Sequence, residues 1–117
     1  MNIEAYRNYC LSKKGVIESF PFHDTTLVYK VMGKIFTLTD IDNFMSINVK
    51  CDPIVAIAHR EAYAGVTPGY HMNKKHWNTI IADGTVGTKQ LCEWITDSYK
   101  LVISGLPKAQ QKKLLDL

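Results

Sequence analysis

The 117-residue sequence has no hydrophobic run long enough to cross a bilayer. Its longest apolar stretches, such as Pro53 to Ala58 and Leu101 to Ile103, are far shorter than the ~20 residues of a transmembrane helix. The N-terminal segment also has no basic region leading into an apolar core and a small-residue cleavage site. We therefore expect no membrane partner and a cytoplasmic location.

Paired cysteines are missing as well. Cys10, Cys51 and Cys92 are odd in number, widely separated, and form neither a C-x-x-C pair nor a Cys-His cluster at zinc-ligand spacing. This pattern favours buried, reduced thiols.

Arginine is scarce, since Arg7 and Arg60 are the only two among the 14 basic residues. The net charge of +3 permits an anionic partner but is well below the balance of a dedicated nucleic-acid binder. The excess lies in residues 69–117, where lysines outnumber acidic residues. Bidentate contacts to guanine, which favour arginine, are correspondingly limited.

The composition is 46% hydrophobic and 21% charged, which indicates one globular domain over residues 1–117. Asn2 predicts the cap of a first helix over about residues 3–14. The stretch Val16 to Phe22, broken by Pro21, predicts an extended connector, with Phe20 and Phe22 as core anchors.

A three-stranded meander is predicted from Leu27 onward, where the hydrophobic period becomes two. Turns at Met32-Gly33 and Asp42-Asn43 would close its two hairpins. The resulting register pairs Val31 with Lys34, Tyr29 with Phe36, Leu27 with Leu38, Ile41 with Phe44, Leu38 with Ile47, and Phe36 with Val49. It places Leu27, Tyr29, Phe36, Leu38, Met45, Ile47 and Val49 on one face. The opposite, mostly polar face carries Val28, Lys30, Ile35, Thr37, Thr39, Ser46, Asn48 and Lys50.

The rest of the chain predicts three helices and one strand. Asp52-Pro53 begins a helix that ends near Tyr63, with an inner stripe of Ile54, Ile57, Ala58 and Ala62. A strand over residues 77–82 precedes a long helix, which Thr85 or Thr88 caps and Gly105 ends. A last helix from Pro107 is docked by Leu106, Leu114 and Leu115. The order indicates an α+β fold, a mostly antiparallel sheet covered by helices on one face.

The stretch from Val66 to Trp77 holds the densest mixture of polar and aromatic groups in the chain. Tyr70 and Trp77 suit inward packing, and an irregular loop near the core needs side chains such as His71 or Asn73 to satisfy its backbone. The exposed candidates for contact are Lys74, Lys75 and His76.

No catalytic or metal-binding arrangement is evident. His71 and His76 are the clustered imidazoles, but no serine or cysteine is placed as their nucleophile, and Asp83 is the candidate orienting carboxylate. Histidines five residues apart do not match the H-x-x-x-H spacing of a helical metal site. We expect a protein that is not an enzyme and has no cofactor or bound metal.

The chain resembles the MmcQ/YjbR family of small bacterial proteins. The resemblance rests on residues 68–77 (PGYHMNKKHW), on Phe20-Pro21-Phe22, Lys30, Gly33-Lys34-Ile35-Phe36, Asp52-Pro53 and Asp83-Gly84, and on Ser98 to Val102 with Leu106-Pro107. It implies a CyaY-like α+β fold. It also implies the label of DNA-binding protein, which the family takes from the similarity of its fold to a double-wing DNA-binding domain of a phage transcription factor.

DNA is therefore the expected partner. The candidate contacts are Lys34, Lys74, Lys75, His76, Lys30 and Lys50, with Tyr70, His71, Asn73 and Trp77 in support or stacking roles. The alternative is a protein-interaction or small-ligand-binding module without a nucleic-acid role. Such a module would use the polar sheet face or the sheet edge beside residues 77–82.

Overall fold

The computed structural model describes residues 1–69 and 72–117, and in these residues the chain forms four helices and six strands. The helices are α1 (Ile3–Leu11), α2 (Pro53–Ala62), α3 (Thr88–Ser104) and α4 (Lys108–Leu115). The strands are β1 (Val16–Ser19), β2 (Thr26–Val31), β3 (Lys34–Asp40), β4 (Ser46–Lys50), β5 (Val66–Pro68) and β6 (Trp77–Ile81).

The strands form one sheet in the order β1-β2-β3-β4-β6-β5, and every neighbouring pair is antiparallel. The predicted α+β class is confirmed. Two strands were not predicted: β1 lies within the expected connector and pairs with β2, while β5 begins the stretch that was expected to be a loop. The two strands that were not predicted, β1 and β5, are thus the two edges of the sheet.

A bulge in β3 changes the predicted register. The Met32-Gly33 turn is confirmed, with positive φ at both residues and Val31 opposite Lys34. Beyond it, Lys30 pairs with Ile35 but Tyr29 pairs with Thr37, so Phe36 is the extra residue. The predicted pairs of Tyr29 with Phe36, Leu27 with Leu38, Leu38 with Ile47, and Phe36 with Val49 are therefore wrong; the structure pairs Leu27 with Thr39, Thr39 with Ile47, and Thr37 with Val49.

The bulge also redistributes side chains between the two sheet faces. Thr37 and Thr39, predicted on the outer face, are in line with the inward Tyr29 and Leu27, and the hydroxyls of Thr37 and Tyr6 lie 2.8 Å apart beneath α1. Leu38 moves to the outer face, and Met45 is 63% exposed in the connection 41–45, which replaces the predicted Asp42-Asn43 turn. The helix-covered face retains Leu27, Tyr29, Val31, Phe36, Ile47, Val49, Val66 and Ile80.

Ser98 of α3 closes the gap that the bulge leaves between β3 and β4. Its fully buried hydroxyl donates to the Phe36 carbonyl oxygen at 2.6 Å and accepts from the Lys50 amide at 2.8 Å. Buried backbone groups need such partners, because water cannot reach them. One side chain therefore holds the long helix against the irregular part of the sheet.

The helices follow the prediction in position more closely than in orientation. Asn2 caps α1 by accepting from the Ala5 amide at 2.8 Å, although the helix ends at Leu11 rather than at residue 14. The N-cap of α3 is Gly87, so neither Thr85 nor Thr88 caps it through a side chain. No helix in the described part of the chain has the length and apolarity to span a membrane.

The inner face of α2 is the reverse of the predicted one. Ile54 is 79% and Ile57 52% exposed, Ala58 and Ala62 are also exposed, and Ala56 is the buried residue. The side of the helix that faces the core carries His59 and Arg60. His59 stacks on Trp94 of α3 and Arg60 donates to Asn78 of β6, contacts that an isoleucine could not make.

Three other predicted anchors lie at the surface. Phe20 is 45% exposed, Phe22 61% and Leu115 74%, so none of them is a core residue. Phe20 and Phe22 lie just past β1, an edge strand of the sheet that the described residues form, and no strand of that sheet lies outside it to cover them. Leu106 and Leu114 are buried as expected.

We predict that Ser98→Ala lowers the free energy of unfolding by about 3 kcal/mol, because a buried N–H and a buried C=O each lose a partner. Urea denaturation measures the change. Ser104→Ala is the matched control in the same helix, since its exposed hydroxyl bonds to Leu101 within its own turn, and it should change stability by less than about 0.5 kcal/mol. Equal losses in the two variants would show that Ser98 does not brace the bulge.

Candidate functional site

The strand directions separate the charged connections to opposite ends of the sheet. In an antiparallel sheet, successive connections alternate between the two ends. The basic end carries Lys34 after the β2–β3 turn, Lys50 at the end of β4, and Lys74 and Lys75 just before β6. Asp52, the N-cap of α2, is the acidic residue that follows β4 at this end. The acidic end carries Asp24 before β2, Asp40 and Asp42 after β3, and Asp83 after β6.

Lys34 and Lys50 line one cleft at the basic end, with a volume of about 520 Å³. Trp77 and the last turn of α3 form its other walls. Lys30 follows on the outer face, where it pairs with Ile35. Within residues 1–69 and 72–117, no hydrogen bond or ion pair is formed by the side-chain amines of Lys30, Lys34, Lys50, Lys74 and Lys75, and the one ion pair is that of Arg7 with Glu18.

Arg60 of α2 positions the loop that carries Lys74 and Lys75. Its Nε donates to Asn78 Oδ1 at 2.7 Å, and its terminal nitrogen donates to the carbonyl oxygen of Lys74 and, at 3.4 Å, to that of Trp77. Asn78 is fully buried and donates in turn to the Ala56 carbonyl at 3.2 Å. The guanidinium thus ties the loop backbone to α2 and leaves both lysine side chains exposed.

Backbone bonds complete the loop. Asn73 accepts from the Lys75 amide through Oδ1 at 2.9 Å and from the His76 amide through its carbonyl at 3.1 Å. The His76 carbonyl accepts from the Cys51 amide at 2.7 Å, which joins the loop to the end of β4. Asn73 therefore has a structural role.

Trp77 is buried, so its ring offers no free face for stacking. It is 7% exposed and clusters with Val28 and Leu38 on the outer side of the sheet. Gly69 approaches it so closely that an added Cβ would lie 2.6 Å from the Trp77 Cβ, which restricts this position to glycine. The candidates Tyr70 and His71 lie outside the described residues.

The histidine chemistry considered from the sequence is not assembled. His76 precedes β6 and Asp83 follows it, so the five-residue strand separates them by roughly 17 Å at ~3.3 Å per residue. Asp83 instead accepts from the amide and hydroxyl of Thr85, bonds that lower the pKa of its carboxyl. Asp83 therefore does not orient the imidazole of His76, and the described residues contain no cluster of three potential metal ligands.

The cysteines form no disulfide. Burial raises the pKa of Cys10 to about 12 and that of Cys51 to about 11, which disfavours the reactive thiolate at neutral pH. Burial likewise raises the pKa of Cys92, although this side chain is only partly buried. The expected buried, reduced thiols are thus found at two of the three positions.

The sequence matches the YjbR family over residues 11–101. This chain belongs to the YjbR family. It is 38% identical over 96 residues to the uncharacterized protein YbdF of Escherichia coli O157:H7, covering 81% of this chain and 79% of YbdF. It is 28% identical over 118 residues to the uncharacterized protein YjbR of Escherichia coli K12, covering 100% of both chains.

Solved structures extend the comparison to three dimensions. The crystal structure of Deinococcus radiodurans protein DR2400, with a DUF419 domain, has a TM-score of 0.91 and 38% identity, covering 97% of this chain and 87% of that one. A crystal structure of a Pseudomonas syringae protein has a TM-score of 0.74 and 26% identity, covering 86% of this chain and 98% of that one. The family resemblance seen in the sequence is confirmed, and with it the fold.

Two positioning roles in this YjbR-family chain escaped the sequence reasoning. Arg60 had been considered for guanine recognition, but its contacts are to the loop and Asn78. His59 stacks on Trp94, with ring centroids 4.5 Å apart, and burial there lowers the pKa of its imidazole. The available signal was the position of both polar residues, side by side, directly after the apolar run from Pro53 to Ala58.

We predict that Arg60→Ala lowers the free energy of unfolding by about 2 kcal/mol, because the buried Asn78 oxygen loses its donor. Amide hydrogen exchange of Lys75 and His76 should also become faster as the loop loses its attachment to α2. Chemical denaturation and exchange followed by NMR measure the two effects.

Arg7→Ala is the matched control for this change. The ion pair of Arg7 with Glu18 is partly exposed, so its loss should cost at most about 1 kcal/mol and leave the exchange of the loop unchanged. Unchanged exchange in Arg60→Ala would rule out the positioning role.

Proposed function

We propose that this protein binds DNA through the basic end of its sheet and catalyses no reaction. The observation that carries the proposal is the placement of Lys34 and Lys50 in one cleft, at the same end of the sheet as Lys74 and Lys75. Amines without an ion-pair partner in the described chain are available to neutralise phosphates, the main source of affinity for nucleic acid.

The opposite charge at the other end of the sheet supports one mode of approach. The aspartates at the acidic end repel a phosphate backbone, whereas the lysines attract it. The protein should therefore approach DNA with the β2–β3 turn and the loop before β6 foremost. Lys30 extends the basic surface from this end onto the outer sheet face.

The proposed binding is of low sequence specificity. Both arginines are engaged, Arg7 with Glu18 and Arg60 with the loop and Asn78, so neither offers a free fork for guanine. Trp77 is buried and cannot stack on an unpaired base. Contacts from lysine to phosphate carry affinity without reading bases, so different duplex sequences should bind alike.

The test is fluorescence anisotropy with labelled duplex and single-stranded DNA over a salt series. With about four phosphates neutralised, log K for the duplex should fall with log salt at a slope of about −3.6. Two double variants test the two pairs of lysines: Lys34→Ala/Lys50→Ala and Lys74→Ala/Lys75→Ala. Each should weaken binding and make the slope shallower by about 2.

Lys89→Ala is the control for Lys34→Ala, because both remove one exposed lysine charge. Lys89 lies in the first turn of α3, about 18 Å along the helix from Leu101, where the helix begins to line the cleft, at ~1.5 Å per residue. Lys34→Ala should make the slope shallower by about 1, and Lys89→Ala should leave it unchanged. Absence of binding at low salt, or equal effects of the two variants, would refute the assignment of DNA binding to the basic end.

A further inference from the structure

A groove of about 510 Å³ lies on the outer sheet face, toward the acidic end. Leu38, Asn48 and Thr79, which are cross-strand neighbours on β3, β4 and β6, line its floor. A smaller cavity of about 250 Å³ adjoins it at Leu38, between Phe22 and Met72. The volume of the groove alone is in the range of small-molecule sites, roughly 300–1,000 Å³.

Apolar side chains make up much of the lining. Leu38 is on this face because of the bulge in β3, and its neighbours in the groove include the exposed Met45 and Ile81. Phe22, 61% exposed, extends the apolar surface into the adjoining cavity. Binding of an apolar ligand would remove these side chains from water, which lowers the free energy.

Asn48 gives the groove a directed polar group. Only 8% of this residue is exposed, and its Oδ1 accepts a hydrogen bond from the Thr79 hydroxyl at 2.5 Å. Its Nδ2 has two N–H donors, and these have no acceptor in the part of the chain that the structure describes. Nδ2 is not sealed in the core, since Ser19 Oγ is the one fully buried side-chain polar atom without a partner in the described residues. A ligand oxygen in the groove can therefore reach Nδ2 and accept the hydrogen bond in place of solvent.

The surrounding charge limits what that ligand can be. Among the described residues no lysine or arginine lines the groove, and its ionisable lining residues are Asp40, on the rim, and His23. Asp40 Oδ1 accepts from the amides of Asp42 and Asn43, which fixes the carboxylate in place. An anion would be repelled, whereas an uncharged molecule with an oxygen acceptor meets both the Asn48 donors and the apolar walls.

We propose that this groove binds an uncharged, partly apolar small molecule whose carbonyl or amide oxygen accepts a hydrogen bond from Asn48 Nδ2. The site is separate from the basic end, so it neither depends on DNA binding nor fails with it. Asn48 selects the oxygen, Leu38, Met45 and Ile81 hold the apolar part, and Asp40 excludes acids.

The test is NMR titration of the ¹⁵N-labelled full chain with three probes: acetophenone, toluene and benzoate. Acetophenone should bind most tightly and shift the side-chain amide signals of Asn48 together with the backbone signals of Leu38 and Thr79. Toluene lacks the oxygen and benzoate carries a charge, so both should bind more weakly. The side-chain amide of Asn43, on the rim, serves as the internal comparison.

Asn48→Asp should weaken acetophenone binding roughly tenfold, because the donors are replaced by an acceptor of the same shape. Met45→Glu, at an exposed position on the groove, should also weaken it without a risk to folding. Ile54→Glu is the matched control, since Ile54 is 79% exposed on α2, and it should have no effect.

Four results would overturn the proposal. Equal binding of toluene and acetophenone would leave only apolar adsorption, and tighter binding of benzoate would reverse the charge argument. Tighter binding of an N-acetylated tripeptide amide than of acetophenone would assign the groove to an extended peptide instead. Unchanged acetophenone binding in Asn48→Asp would show that the Asn48 amide does not bind the ligand.

Discussion

The bulge at Phe36 is the constraint on which the two faces of the sheet depend. Two residues, Phe36 and Thr37, are opposite one residue of β2, and the carbonyl and amide left without ladder partners are bridged by the Ser98 hydroxyl. The bulge turns Phe36 and Thr37 inward against Tyr99 and Tyr6. It turns Leu38 outward, and the outer face therefore has an apolar centre rather than a wholly polar surface.

The antiparallel order produces a second division, along the strands rather than across the sheet. Connections alternate between the ends; Lys34, Lys50, Lys74 and Lys75 lie at one end, together with Asp52, and Asp24, Asp40, Asp42 and Asp83 lie at the other. The molecule thus has an electric asymmetry along its strands. The proposed DNA contact uses the basic end, while the proposed ligand groove lies toward the acidic end, so the two surfaces are suited to partners of different charge.

Much of this architecture was predictable, because its signals are local. The Asn2 cap and the Met32-Gly33 turn were both predicted correctly from the sequence. The candidate lysines were also identified from sequence, as were the exposed positions of Lys74 and Lys75. The stripe of α2 was misread because hydrophobicity alone favoured Ile54 and Ile57, whereas the inward side carries Arg60 with its buried partner Asn78.

The sequence by itself determined the class of fold, the family, most element positions and the residues available for contact, since periodicity, caps and turns act over a few residues. Only the tertiary structure decided the bulge register, the inward face of α2, the burial of Trp77 and the separation of His76 from Asp83. Each of these depends on a partner distant in the chain: Ser98 for the bulge, Asn78 for Arg60, Gly69 and Leu38 for Trp77. A pattern of neighbouring residues carries no record of such partners, because many pairings satisfy the same local rules and packing selects one.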